Sequence, residues 1–359
     1  MGAPHQTHRT EANVAAIALN ARFYSHVPTG MQRYGIEMAD RLSDVLDVVR
    51  PKSPLRGASG HLWEQVYLPA ASRNRLLWSP NNTGPLAVSR QICTMHDIIP
   101  VEHPEWFNAQ FAGWYQWLLP RLTHRVRHLI AVSQFTKDRL VERFGIHPDK
   151  ITVVWNGVDA QFRPRTSSEV DDVRQALGIT SPRYLLSLGS VEPRKNIRRL
   201  LNAWAHLKGE LPSDLSLVIA GPKGYSKVFR DAGVDEIPEG VHFTGYAKQE
   251  YLPALYSGAL ALVYPSLYEG FGLPPLEAMA CGTPVITSNT TSLPEITGGN
   301  ALFIDPLDED TIATAILRVT KDEDLRHTLR TQSLTHASNL TWDASARATR
   351  RVLEDRRNG

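Results

Sequence analysis

The sequence contains little cysteine and no long apolar run. Only Cys93 and Cys281 occur in 359 residues, so no disulfide framework can be formed from them. Residues 1–13 are polar and lack the apolar segment of a secretory signal, and the longest apolar runs are too short to cross a bilayer. The low cysteine content predicts a reducing, cytoplasmic compartment. A hydrophobic fraction of 42% predicts a globular protein with an ordinary apolar core.

Sequence motifs for metal and nicotinamide binding are also missing. The thirteen histidines are scattered, no Cys-x-x-Cys pair occurs, and no Asp-x-Asp lies in a loop suited to a phosphate donor. Residues 20–35 follow the first predicted strand and contain no Gly-x-Gly-x-x-Gly turn, which argues against an NAD-dependent dehydrogenase. We therefore predict no metal ion and no cofactor.

Apolar strands alternate with helical patterns in two separate stretches of the chain. The first series of strand-like runs lies at 14–19, 76–78, 91–95, 128–132 and 151–155. The second series lies at 184–188, 215–219, 241–243, 260–264, 284–287 and 301–304. Strands of this near-continuous apolar kind, separated by helices, are typical of parallel sheets that are buried on both faces.

The predicted fold class is α/β, with two doubly wound, Rossmann-like domains in tandem. The first domain spans residues 1–165 and the second spans residues 184–340. Between them, residues 166–183 are rich in Asp, Ser, Thr and Pro and predict a linker. A last helical pattern at 341–359 is free to pack against either domain. Ligands bind beyond the carboxyl ends of the strands in such sheets, so two facing domains form a cleft.

The densest motif is E-G-F-G-L-P-P-L-E at residues 269–277, between a predicted strand and a predicted helix that begins at Pro275. Gly270 and Gly272 allow the backbone to approach a ligand, and amides at a helix N-terminus suit an anionic phosphate. Glu269 in the loop and Glu277 in the first helical turn can face one cleft, where carboxylates accept bonds from sugar hydroxyls. A plain Gly-Pro turn with an acid favoured by the helix dipole is the alternative.

Polar residues follow several other predicted strands. Arg194 and Lys195 lie on the turn after 184–188, where two cations can neutralise a leaving diphosphate, although a solvated basic loop is the alternative. His96 follows 91–95 at the expected cleft, and Asp97 either orients its imidazole or caps the next turn. Gly30 precedes the first helix, where backbone amides can reach a phosphate from the opposite side.

Together these motifs resemble the retaining glycosyltransferases of family 4, in which two glutamates are separated by seven residues, as at 269–277. Further stretches that resemble the family are 29–34, 94–97, 131–135, 156–159, 189–196, 220–222, 241–245 and 280–286. The likeness therefore runs nearly from end to end. It implies the GT-B fold, with the donor held mainly on the second domain and the acceptor entering from the first.

The resemblance also implies roles for individual residues. Glu269 is implied to hold hydroxyls of the donor sugar, and Glu277 those of the ribose, while Arg194 and Lys195 do the work of a divalent ion. Some relatives carry an additional arginine where Ser190 stands, which places more of that work on the cation pair. The implied catalytic residues are Glu269, Arg194, Lys195 and His96, and the implied donor-binding residues are Gly30, Gly189, Gly221, Tyr246, Gly270, Phe271, Gly272, Leu273 and Glu277.

Within the family, residues 61–65 and 76–82 look most like bacterial mannosyltransferases of O-antigen or exopolysaccharide synthesis. GDP-mannose is therefore the leading donor, and another GDP-sugar or a UDP-sugar stays open. The expected acceptor is a saccharide or a lipid-linked saccharide, with no nucleic acid partner. The family is thought to substitute on the same face of the sugar, with the departing phosphate taking the acceptor's proton.

Two other features leave alternatives open. Aromatic and basic residues at 114–128 suit a peripheral membrane contact, or else form a core helix followed by a solvated basic face. A nucleotide-sugar epimerase shares the two-domain architecture but turns over its donor without an acceptor. A non-catalytic sugar-binding module is a third function, and it does not require the cation pair.

Overall fold

The computed structural model describes residues 17–25, 30–55, 57–189, 192–221 and 237–357. Several features of the sequence lie wholly or partly outside these residues. They are the polar residues 1–13, the predicted strand residues 14–16, residues 26–29, Ser190 and Val191, Pro222, and residues 358–359 of the last helical pattern. All strands, helices and contacts given for the protein are those of the described residues.

The first sheet has six parallel strands in the order β2-β1-β3-β4-β5-β6. They are β1 (Ile17–Asn20), β2 (Leu46–Val49), β3 (Leu77–Ser79), β4 (Gln91–Met95), β5 (His128–Ala131) and β6 (Ile151–Val153). The apolar pattern predicts five of these strands and misses β2. The reason is that β2 lies at the edge of the sheet, where Asp47 and Val48 are exposed and only Leu46 is buried.

Helices cover both faces of the first sheet. They are α1 (Gly30–Arg41), α2 (Gly57–Ala71), α3 (Ile99–Glu102), α4 (Ala109–Arg125) and α5 (Gln134–Phe144). On one face, Tyr34 and Met38 of α1 pack with β1 and β3. On the other face, Leu118 of α4 and Leu140 of α5 pack with β4 and β5. Burial on both faces explains the continuous apolar strands.

The second sheet also has six parallel strands, in the order β12-β11-β10-β7-β8-β9. They are β7 (Arg183–Leu188), β8 (Leu215–Ala220), β9 (Val241–Gly245), β10 (Ala261–Tyr264), β11 (Val285–Ser288) and β12 (Leu302–Ile304). Helix α6 (Ser167–Ala176) precedes this sheet. The helices that follow it in this half are α7 (Ile197–His206), α8 (Leu252–Ser257), α9 (Leu273–Ala280), α10 (Leu293–Ile296), α11 (Glu309–Lys321) and α12 (Glu323–Ala337). Two parallel, doubly wound sheets confirm the predicted fold class.

Two segments connect the halves. Helix α6 (Ser167–Ala176) lies in the predicted linker, begins with a capping box at Thr166, and buries Val173 in the core of the second half. The last helix, α13 (Trp342–Asp355), packs Trp342 into the core of the first sheet. The two connecting segments contact each other at Gly157, where an added Cβ would lie 2.0 Å from the backbone nitrogen of Trp342. A residue larger than glycine therefore does not fit at this position.

The order of the strands reverses between β1 and β3 in the first sheet and between β7 and β10 in the second. Open parallel sheets bind ligands in the crevice beyond such a switch point. The carboxyl edges of the two sheets face each other, because Ser133, which follows β5, donates to the carbonyl oxygen of Gly270, which follows β10, at 2.6 Å. The fold therefore brings two switch-point crevices to one cleft.

Candidate active site

Glu269 is the centre of a buried polar cluster at the switch point of the second sheet. Its side chain lies beyond the end of β10, and its Oε1 accepts bonds from Lys195 Nζ at 2.6 Å and Arg194 Nη1 at 2.9 Å. The hydroxyls of Tyr264 and Ser266 donate to the same oxygen, each at 2.8 Å. Burial acts to raise the pKa of Glu269, but the two cations outweigh it and hold that pKa at about 2. The carboxylate is therefore ionised at neutral pH.

The cation pair is held in place by its own turn and by the neighbouring loop. Arg194 and Lys195 lie on a 3-10 turn, Pro193–Lys195, and the carbonyl oxygen of Arg194 accepts from Leu267 N at 2.7 Å and Ser266 Oγ at 3.0 Å. Gly189 has φ +146° and packs on the stem of Lys195, where an added Cβ would lie 3.2 Å from Cε. The loops after β7 and β10 thus form one unit.

Glu277 lies deeper in α9 than the sequence predicts. The helix begins at Leu273 rather than at Pro275, with Gly272 at its N-cap in the left-handed region at φ +102°. Prolines are accepted in a first helical turn, because its amides have no intrahelical partner. Glu277 consequently falls in the second turn, where it is buried.

The Glu277 carboxylate is shared between the two halves of the chain. Its Oε1 forms an ion pair with Arg33 of α1, and its Oε2 accepts from Tyr256 OH at 3.0 Å. Burial raises the pKa of Glu277, and the Arg33 charge opposes this only in part. Arg33 belongs to the family-like stretch 29–34, but no residue spacing predicts its partner 244 positions away.

His96 is a neutral imidazole that is tied to the first sheet. Its Nε2 lies 2.8 Å from the carbonyl oxygen of Pro80, which can only accept, so we assign the proton to Nε2 and leave Nδ1 as an acceptor. Burial lowers the pKa of His96 to about 4. Asp97 does not orient this ring. Its Oδ1 instead accepts from Ile99 N at 3.2 Å, so the turn-capping alternative is the one observed.

The loop of Glu269 is packed against the first half of the chain. A Cβ on Gly270 would lie 1.7 Å from the carbonyl oxygen of His96, so the backbones of the two loops are in direct contact at this position. Ser133 is the N-cap of α5, and its Oγ accepts from Thr136 N at 3.0 Å. Ser133 and Thr136 also donate to the Gly270 carbonyl oxygen, at 2.6 and 3.2 Å.

A carboxylate that the sequence analysis misses joins the two halves nearby. Glu295 of α10 accepts from Gln134 N at 2.8 Å and Phe135 N at 3.2 Å, the first two amides of α5, and from Trp155 Nε1 at 2.6 Å. A carboxylate at a helix N-terminus is stabilised by the helix dipole and by unpaired amides. No spacing in the sequence signals this contact, since its partners come from two other segments.

The remaining predicted residues form two groups, one at the cleft and one further along the second sheet. Gly30 begins α1 and approaches Leu273, whose Cδ1 would be 3.4 Å from an added Cβ. Phe271 is buried, and its carbonyl oxygen accepts from Ser292 Oγ at 2.8 Å. By contrast, Gly221 and Tyr246 follow β8 and β9, further along the sheet, and 69% of Tyr246 is exposed.

The structure thus gathers most of the predicted residues at one cleft. Among the described residues there is no group of three or more His, Cys, Asp or Glu side chains that could hold a metal ion. In the same part of the chain, no helix has both the length and the apolar character needed to cross a membrane.

Asp97→Asn is expected to raise the melting temperature more at pH 7.5 than at pH 4.5. Burial raises the pKa of Asp97 from an ordinary 3.8 to about 6. The folded state therefore favours the protonated acid, a stabilisation that is complete below about pH 3.8 and lost as the pH rises through 6. Asparagine avoids that loss, which amounts to about 2 kcal/mol between pH 4.5 and pH 7.5. Thermal unfolding at both pH values measures it.

The control is Asp172→Asn, because Asp172 is an exposed carboxylate on helix α6. It should change the melting temperature equally at the two pH values. Equal changes for Asp97→Asn as well would contradict the buried, raised-pKa state of this carboxyl.

Two family models match the chain. One, described as "Glycosyl transferases group 1", matches residues 169–336, and the other, described as "Glycosyltransferase Family 4", matches residues 61–162. The chain is 34% identical over 266 residues to O-antigen chain mannosyltransferase B from Escherichia coli, covering 74% of this chain and 70% of that protein. It is 29% identical over 265 residues to the serotype-specific mannosyltransferase WbdA from Escherichia coli, covering 72% of this chain but only 32% of WbdA.

A solved structure has the same fold at low sequence identity. HepE from Anabaena, crystallised in complex with UDP and glucose, matches with a TM-score of 0.74 and 18% identity. The match covers 95% of this chain and 99% of HepE, so both sheets and their relative placement are included.

Proposed function

The chain belongs to the glycosyltransferases of family 4, and we propose that it transfers mannose from GDP-mannose to an acceptor hydroxyl in bacterial polysaccharide or glycolipid synthesis. The observation that carries this proposal is the buried cluster of Lys195, Arg194 and Glu269 at the second switch point. The names of the relatives support mannose as the sugar and do not favour an epimerase or a sugar-binding module.

Arg194 and Lys195 are assigned to the leaving group. As the glycosidic bond breaks, negative charge develops on the nucleoside diphosphate, and buried cations aimed at it lower the barrier. Glu192 also pairs with Arg194, but its side chain is 46% exposed. Inside the crevice, the two cations therefore face one buried carboxylate, that of Glu269. The N-terminus of α9 adds partial positive charge. For these reasons we propose that the reaction requires no metal ion.

The proposed reaction retains the anomeric configuration by substitution on one face of the sugar. The bond from the anomeric carbon to the phosphate oxygen breaks, the bond to the acceptor oxygen forms, and the departing phosphate takes the acceptor's proton. Glu269 is a poor nucleophile because its Oε1 already accepts four hydrogen bonds and its pKa is about 2. We assign it to a hydroxyl of the donor sugar instead.

Glu277 is assigned to the ribose hydroxyls of the donor. Its contact with Arg33 means that the ribose and the first half of the chain share one carboxylate. Binding of the donor is therefore linked to the closure of the cleft, since both involve Glu277. His96, held neutral, is assigned to the donor sugar as a hydrogen-bond acceptor.

We further propose a cytoplasmic location with peripheral membrane contact. The exposed aromatic residues Phe111 and Trp117 lie on α4, and Arg121 lies over the Trp117 ring at 4.9 Å. Aromatic and basic side chains of this kind suit a membrane interface that presents a lipid-linked acceptor. Cys93 and Cys281 are free, buried thiols, as suits a reducing compartment.

GDP is expected to raise the melting temperature selectively in a panel of GDP, UDP, ADP and TDP. A ligand that binds only the folded state stabilises it by about 2.7 kcal/mol at a hundred times its dissociation constant. The shift should be indifferent to EDTA and weakened in Glu277→Ala, which loses the ribose contact. Thermal unfolding of wild type and variant, with and without EDTA, measures this.

Glu210→Ala is the matched control, because Glu210 is an exposed carboxylate outside the cleft. It should keep the full GDP shift. If no nucleotide shifts the melting temperature of the wild type, the donor site is contradicted. If UDP alone shifts it, uracil replaces guanine as the proposed base of the donor.

A further inference from the structure

Tyr268 extends from the second half of the chain into the first half. It immediately precedes Glu269 in the sequence, and its ring packs against Phe135 of α5 and against His103, which follows α3. The centre of the Tyr268 ring lies 5.3 Å from that of Phe135 and 5.6 Å from that of His103, edge to face in both cases. Only 4% of Tyr268 is exposed. The residue next to Glu269 is therefore buried in the opposite wall of the cleft.

The hydroxyl of Tyr268 binds a carboxylate of the first half. It donates to Glu102 Oε2 at 2.7 Å, and Glu102 is the last residue of α3. The other carboxylate oxygen, Oε1, accepts from Arg139 Nε of α5 at 2.8 Å, so the acceptor is itself held in place. Burial raises the pKa of Tyr268, and the Glu102 charge adds to the effect, so the hydroxyl stays protonated and able to donate. Hydrogen bonds to a charged acceptor are among the stronger ones in proteins.

The loop that carries Tyr268 is fixed to the second half on both sides of this residue. On one side, Leu267 N donates to the carbonyl oxygen of Arg194 at 2.7 Å. On the other side, Glu269 Oε1 accepts from Arg194 Nη1 at 2.9 Å. Because a planar peptide bond joins Tyr268 to Glu269, a shift of the Tyr268 backbone must also move that of Glu269. The loop therefore connects the cation pair of the second half to Glu102 of the first.

This contact differs in kind from the one that Gly270 makes two residues later. At Gly270 the backbones of the two halves meet, and its carbonyl oxygen accepts from Ser133 Oγ at 2.6 Å. At Tyr268 a single side-chain hydroxyl meets a charged acceptor. Replacement of Tyr268 by phenylalanine removes that hydroxyl and keeps the ring and both backbones. The Tyr268 bond can therefore be tested separately from the backbone contact.

The bond between Tyr268 and Glu102 depends on closure of the cleft, because its two atoms belong to different halves of the chain. When the halves separate, water can replace each partner. When they meet without the phenol hydroxyl, Glu102 Oε2 loses water and gains no donor, and only 9% of the Glu102 side chain is exposed. An acceptor that is buried without a partner is costly, so loss of the hydroxyl should disfavour the closed cleft by about tenfold.

We propose that Tyr268 is a positioning residue for the transfer reaction. Its bond to Glu102 holds the loop of Glu269 against the first half, and Glu269 is thereby set at the donor sugar when the cleft is closed. Tyr268 acts through Glu269 and takes no part in making or breaking bonds. This inference rests on the proposed transferase function, to which it adds the residue that links closure of the cleft to the position of Glu269.

The test uses Tyr268→Phe in the full chain, with Tyr67→Phe on α2 as the matched control, because Tyr67 is 54% exposed. Release of GDP from GDP-mannose is followed at varied donor concentration, with water as the acceptor and circular dichroism as the folding check. We expect kcat to fall about tenfold in Tyr268→Phe and KM for GDP-mannose to change less than about threefold, since the donor is held mainly by the second half. The control should keep both wild-type values. A role in folding alone would lower the melting temperature and leave kcat of the folded protein unchanged.

Glu102→Gln breaks the same bond from the first half and keeps an oxygen for Arg139. It should also lower kcat about tenfold. The double variant with Tyr268→Phe should lose about tenfold rather than about a hundredfold, because the two changes remove one shared bond.

The GDP-induced melting shift is read on the same samples. A GDP shift in the wild type, a lowered kcat in both single variants and no further loss in the double variant support the inference. Wild-type kcat in Tyr268→Phe, or losses that multiply in the double variant, overturn it and leave the transferase function standing. A wild type that shows no GDP shift, or releases no GDP from GDP-mannose, overturns the proposed function, and the inference with it.

Discussion

Lys195→Ala is expected to lower kcat by about two to three orders of magnitude while the protein stays folded. The Lys195 ammonium is buried and donates to Glu269 Oε1 at 2.6 Å, at the place where the diphosphate is proposed to leave. Arg194 still pairs with Glu269 at 2.9 Å in the variant, so the carboxylate keeps one cation and the loop keeps its anchor. The loss should therefore fall on the rate rather than on folding.

The measurement is the transfer rate at saturating GDP-mannose and acceptor, with circular dichroism as the folding check. Lys208→Ala removes the same charge from a side chain that is 81% exposed, and it should transfer at the wild-type rate. A folded Lys195→Ala enzyme with less than about a tenfold loss would remove Lys195 from leaving-group stabilisation.

Gly270→Ala is expected to lower kcat/KM by at least about a hundredfold, because it separates the two halves of the active site. The added Cβ would lie 1.7 Å from the His96 carbonyl oxygen and 2.8 Å from its carbon, and backbone atoms cannot rotate out of the way as a side chain can. The loop must withdraw, and the Ser133 and Thr136 bonds to the Gly270 carbonyl oxygen are lost with it.

The matched control is Gly113→Ala in the second turn of α4, where no described atom outside the local helix backbone lies within 4 Å of the new Cβ. Alanine is a better helix former than glycine by about 1 kcal/mol, so this variant should be at least as stable as the wild type and equally active. Kinetics and thermal unfolding of both variants decide the matter. A Gly270→Ala enzyme with wild-type kcat/KM would show that the cleft does not close on this loop during catalysis.

The strand pattern could be predicted because the strands are buried on both faces. Strand β4 matches its predicted bounds, Gln91–Met95, and every residue in it is buried, including the polar Gln91 and Thr94. Strand β2 is missed because an edge strand with one buried residue has no apolar run. The start of α9 is predicted two residues late, because Pro275 suits a first helical position as well as Leu273 does.

The role of Asp97 could not be predicted from local sequence patterns. An Asp beside a His can orient the imidazole or cap a turn, and the sequence carries both possibilities equally. The tertiary structure decides, because it places the Pro80 carbonyl oxygen 2.8 Å from His96 Nε2 and leaves Asp97 to Ile99.

Local periodicity and motifs within a few residues are sufficient to predict the alternation of strands and helices, the tandem α/β plan and the family. Which charged and hydrogen-bonding groups meet depends instead on the tertiary structure. Arg33 meets Glu277 across 244 positions and Ser133 meets Gly270 across 137, while Tyr268 meets Glu102 across 166. Such pairs depend on how two sheets face each other, and Coulomb and hydrogen-bond energies act over distances in space that residue spacing does not record.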